Sequence, residues 1–150
     1  MMYYTISPLL NEGTLFLTAQ ASSYTVAVAA TNTQDPASQL WTPIECISPN
    51  QQGFVLLNKG CNFVIAETQS SGPVSLVPIN DSRQAIWNLV VPDEDPEPPT
   101  TGYAALQLVP TTYPGMNLNV YQDGTDVYAW GWGNGTANEL WIATTSHVTS

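Results

Sequence analysis

Apolar positions along this chain do not recur with helical spacing. Short runs rich in Val, Leu, Ile, Thr and Tyr are broken by Gly, Pro, Asn or Asp, roughly every 8–12 residues, which is the pattern of short strands joined by turns. Three glycines frame a recurring unit: Gly13 opens TLFLTAQ, Gly60 opens CNFVIAE and Gly115 opens MNLNVYQ. A second strand follows each after a polar turn, as YTVAVAA (24–30), VSLVPI (74–79) and DVYAWGW (126–132). Each unit then closes on an apolar residue and a tryptophan: Leu40-Trp41, Ile86-Trp87 and Leu140-Trp141. From glycine to tryptophan the separations are 28, 27 and 26 residues. Ahead of the glycines, YYTIS, FVLLN and AALQLV supply one more strand each. The reading is all-β, with four strands per unit and roughly twelve overall. No unit covers its own apolar face, so the tryptophans are expected to meet at a common axis. A closed, pseudo-threefold barrel capped by hairpins satisfies that need and leaves no long free edge.

The triplet Gln39-Leu40-Trp41, with echoes at 85–87 and 139–141, resembles the Q-x-W repeat of ricin B-chain-like β-trefoil lectins. The resemblance covers nearly the whole chain, and only the first unit keeps the glutamine. It implies a single β-trefoil domain, with units at about 1–45, 46–91 and 102–150. Between the last two lies PDEDPEPPTT (92–101), where four acids and four prolines predict an exposed, extended loop.

Charge narrows the partners. Twelve acids stand against Lys59 and Arg83, for a net charge of −10. Two cations cannot line a phosphate backbone or hold an anionic bilayer, so nucleic acid and membrane surfaces are discarded. No 18-residue apolar run is present, so membrane insertion is not expected either. Only 9% of residues are charged, so the surface is built from Ser, Thr, Asn and Gln and suits neutral, hydroxyl-rich ligands. No secretory signal is visible in MMYYTISPLLNEG, and a cytoplasmic or unconventionally released protein is expected. Cys46 and Cys61 are then expected as free buried thiols rather than a disulfide. With one histidine, His147, and two cysteines, neither a zinc site nor any cofactor is expected.

A sugar needs fixed hydrogen-bonding groups for its hydroxyls and a flat aromatic wall for its apolar face. In the family resembled, a unit's site combines an Asp between two inward apolar residues, an aromatic platform on the next strand, and an Asn just before Q-x-W. In the third unit these positions fall on Asn119, Trp130 and Asn138. Tyr128 and Gln122 flank the set, and Glu139 stands behind it. The family's Asp is held by the Q-x-W glutamine; here Asn119 and Glu139 exchange the acid and amide roles. Asn119 is expected to donate to Glu139 and offer its carbonyl to the sugar. The matching triplets in the other units are Leu17, Ala29, Ser38 and Val64, Val77, Gln84, which carry no aromatic platform.

The resemblance therefore implies a lectin for galactose or N-acetylgalactosamine-type glycans, with one site per chain. Cross-linking cells would require a homodimer. Of the spare aromatics, Trp132 is expected to pack rather than bind. Two other readings remain open. One is a β-trefoil protease inhibitor presenting Lys59 from the turn Leu57–Cys61; the other is a non-catalytic interaction module. No nucleophile elbow, metal-ligand spacing or phosphate loop is present, and Asp123-Gly124 reads as a hairpin turn, so catalysis is not expected.

Overall fold

A computed structural model describes residues 1–11, 13–48, 51–66, 72–90, 104–108, 116–121, 124–131 and 137–146, with the side chains of 47–48, 51 and 104–108 excepted. The acidic loop 92–101 and Gln122, Asp123, Trp132 and His147 lie outside the described residues. Thirteen strands occur among them. The first unit holds β1 (Tyr4–Pro8), β2 (Phe16–Gln20), β3 (Thr25–Ala29) and β4 (Trp41–Ser48). The second holds β5 (Gln51–Asn58), β6 (Phe63–Ile65), the short β7 (Gly72–Pro73), β8 (Leu76–Pro78) and β9 (Trp87–Val90). The third holds β10 (Ala104–Leu108), β11 (Met116–Val120), β12 (Val127–Gly131) and β13 (Leu140–Thr145).

The pairings explain why these short strands are stable together. β1 pairs with β4 and β13, β4 with β5, β5 with β9, β9 with β10, and β10 with β13. Six antiparallel strands thus pair in a ring. Six of the other seven strands form three hairpins, β2–β3, β6–β8 and β11–β12, and β7 pairs with β12. These hairpins meet one another: Val28 N donates to Thr125 O (2.9 Å), Val74 N to Val127 O (3.0 Å) and Leu76 N to Tyr24 O (2.9 Å). A six-stranded ring with three mutually bonded hairpins is a β-trefoil.

The predicted axis is present. Trp41, Trp87 and Trp141 are buried in one core cluster with Leu17, Ile65 and Leu118. Trp41 Nε1 donates to Leu17 O and Trp141 Nε1 to Leu118 O, both at 2.9 Å, while Trp87 Nε1 is buried without a partner.

The units are also tied at their junctions. Asn58, fully buried at the end of β5, donates through Nδ2 to Ser38 O (2.9 Å) and accepts at Oδ1 from Gly60 N (2.9 Å) and Cys61 N (3.2 Å). A Cβ on Gly60 would sit 3.2 Å from the backbone at Ala37 and Ser38, so the turn is pressed flat against the first unit. Cys46 and Cys61 are free, as expected, but half-buried rather than buried. Among the described residues, no helix is long and apolar enough to cross a membrane.

Candidate functional site

The cross-strand pairing corrects the register set by the glycines. Leu17 pairs with Val28, Ile65 with Leu76 and Leu118 with Ala129, and all six point inward or line the same hairpins. The inward residue thus falls four, five and three residues after Gly13, Gly60 and Gly115. Because the frame drifts, Leu17 and Val64 are not the counterparts of Asn119. Thr18, which pairs with Ala27, and Ala66, whose N–H donates to Ser75 O (2.8 Å), occupy that position.

The correction changes the reading of the first unit, because its equivalent residue is polar. Thr18 Oγ1 accepts from Gln39 Nε2 (3.0 Å) and donates to Phe16 O (2.8 Å). Gln39 Nε2 also donates to Ala30 O (2.8 Å), and Gln39 Oε1 accepts from Asn32 N (2.9 Å). The cluster is buried and self-satisfied, with Ala29 where the platform would stand. In the second unit Gln84 Oε1 accepts from Asn80 N at 2.8 Å, as Gln39 accepts from Asn32. The glutamine is therefore present there too, one residue earlier than the Q-x-W spacing. The contact it makes is the signal that a strict motif misses.

In the third unit, alternation along β12 puts Val127 and Ala129 in the core and leaves Tyr128 half-buried and Trp130 41% exposed. Asn119 lies directly across from Tyr128, and Asn117 across from Trp130, so all four share the outer face of the β11–β12 hairpin. Tyr121 stacks on Tyr128 with ring centroids 4.3 Å apart and meets Trp130 at 5.8 Å and 50°. The three rings make a continuous strip ending in the exposed indole.

Beside that strip, Asn138 Nδ2 donates to Asn119 Oδ1 (3.0 Å) and to Val120 O (3.3 Å), while Val120 N donates to Asn138 O (2.9 Å). The two amides face each other as a bonded pair. Asn138 engages the carbonyl oxygen of Asn119, which leaves it one further lone pair. Asn119 is 6% and Glu139 1% exposed, so Glu139 is a buried carboxylate and not a solvated one. Asn117, two residues earlier on the same face, is fully buried, and neither atom of its amide has a partner.

Lys59 sits elsewhere. Its N–H donates to Leu40 O (2.9 Å) and its ammonium lies 5.0 Å above the Tyr3 ring. The lysine side chain is half-buried, and the turn at Gly60 lies against the backbone of the first unit.

The fold and this site define a β-trefoil with one aromatic-and-amide surface in its third unit. No family model matches the chain, and no curated protein matches it by sequence. Solved structures do match it in fold. The GlcNAcα1-4Gal-releasing endo-β-galactosidase from Clostridium perfringens superposes with a TM-score of 0.73 at 15% identity, covering 98% of this chain and 33% of that one. The chain thus spans about one third of that structure. The designed threefold-symmetric protein ThreeFoil gives a TM-score of 0.65 at 18% identity, covering 94% of this chain and 96% of that one. The Rhizoctonia solani agglutinin gives 0.65 at 14% identity, with 96% and 94% covered.

Proposed function

We propose that this chain is a carbohydrate-binding β-trefoil, a lectin for galactose or N-acetylgalactosamine-type glycans, acting through its third unit. Trp130 is the wall on which the apolar face of the sugar stacks. Asn119 and Asn138 supply the hydroxyl contacts, with Glu139 behind them and Tyr128 at the border. The observation that carries this reading is the exposed Trp130 indole on the face that holds the bonded Asn119–Asn138 pair. An agglutinin among the fold neighbours supports it. The reading is of a binding module without catalysis, and one site per chain makes agglutination dependent on a homodimer.

A glycan array probed with the purified chain tests the proposal, followed by titration of the best ligand against Asn119→Ala. Galactose-terminated glycans should be retained and released by free sugar. Asn119→Ala should weaken binding about tenfold, the value of one lost hydrogen bond plus an unpaired partner. An array without signal, or an affinity untouched by the substitution, overturns the assignment.

A further inference from the structure

A pocket of about 310 Å³ opens into the barrel, between strands of the ring and away from the sugar-binding face proposed above. Trp41 and Trp141 are in its floor, Tyr4 and Phe54 in its walls, and Leu89 and Ala143 at its mouth. Among the described residues the lining is almost wholly apolar and holds no charged side chain. Leu89 is 65% exposed there, second only to Met1 among the large apolar side chains of the described residues. The walls come from β1, β4, β5, β9 and β13, which belong to all three units. A recess built from that many elements has a fixed shape.

We infer that this recess is a second binding site, for an uncharged aromatic small molecule about the size of a fused two-ring system. Size sets the first limit. An apolar cavity of about 150 Å³ holds benzene, so this one takes roughly two such rings, and its volume lies at the lower end of the range for ligand pockets. Wall chemistry sets the second. Four aromatic rings offer faces and edges to a flat partner, and the near-absence of polar lining gives a ligand's hydrogen-bonding groups nothing to replace water. Charge sets the third. A net charge of −10 and a wall without cations turn away anions, so a fatty-acid or sulfonate headgroup is disfavoured. A protein side chain reaching in from a partner would bring polar backbone to a rim that offers it little. The inference stands independently of the lectin reading.

The test uses 2-methoxynaphthalene, a neutral two-ring fluorophore, and its anionic relative 6-methoxynaphthalene-2-sulfonate. The neutral probe should bind saturably, one per chain, with a dissociation constant of about 10–100 μM, and quench the emission of Trp41 and Trp141. The sulfonate should bind at least about tenfold more weakly. Ala143→Trp, at an exposed rim position, should fill the mouth and abolish binding while leaving the near-ultraviolet dichroism of the fold intact. Leu89→Asp, at a still more exposed position, should weaken the neutral probe about tenfold. Trp130→Ala should change nothing here, which separates this site from the glycan site. Unsaturable binding, or equal binding by both rim variants and the parent, overturns the site. Equal affinity for the two probes overturns its preference for uncharged ligands. A dimer that forms with rising concentration and that Ala143→Trp dissolves overturns the small-molecule occupant in favour of a second copy.

Discussion

The first and third units put the same backbone position to opposite uses. In the first, Thr18 is locked by Gln39, and Gln39 in turn holds Ala30 and Asn32, so every polar atom of the cluster works for the fold. In the third, Asn119 is bonded to Asn138 while Trp130 and two tyrosines stand beside them on the outer face. One site spends its polarity on closing the chain. The other keeps an aromatic surface that its own unit does not cover. A threefold scaffold thus allows one repeat to be closed by its own polar groups and another to leave an aromatic face exposed, because each hairpin is bonded to its neighbours whichever form its outer face takes.

Substitutions can break this contrast. The largest effect is expected from Gln39→Ala, which strands the groups that Gln39 satisfies. Stability should fall by about 2–4 kcal/mol and the melting midpoint by about 5–12 °C, with glycan affinity unchanged in calorimetric titration. A loss of affinity without loss of stability would erase the division of labour. Trp130→Ala should do the reverse. At 41% exposure its removal should cost under about 1 kcal/mol of stability, while glycan binding weakens about 30-fold, or about 2 kcal/mol.

Asn117→Leu sharpens the comparison from the other side. The buried amide has no partner, so an apolar group of similar shape should raise stability by about 1 kcal/mol, seen as a midpoint about 2–4 °C higher. A lower midpoint would show that the amide is satisfied in solution. The smallest effect concerns Cys61, at the junction between units. Burial holds its thiol above the usual 9.0, so native protein should react with iodoacetamide more slowly than unfolded protein. Below that value both states keep the proton. As pH rises past it the unfolded thiol ionises first, so folding stability should decline there, and Cys61→Ser should flatten the decline in urea titrations across that range.

The strands were readable because alternation and turn residues are local signals. Val127, Tyr128, Ala129 and Trp130 declare their two faces by period alone, and the structure agrees. The frame between units was less readable, because a glycine marks a turn but not how many residues the turn consumes. Four, five and three residues separate the glycines from their inward neighbours, and only pairing reveals that Thr18, not Leu17, answers to Asn119. Gln84 was matched to Asn138 rather than to Gln39 for the same reason. Asn58 gave no signal at all: a buried asparagine holding a turn reads like any polar residue beside a glycine. The apolar recess was equally hidden, since its wall gathers residues from all three units.

The pairing of β1 with β13 joins Tyr4 to Thr145 and Pro8 to Trp141, and this has a consequence for how the molecule is made. The contact joins strands far apart in the sequence, so during synthesis β1 keeps one edge bare until β13 emerges. Folding of this domain should therefore be slow, limited by the search of β13 for β1.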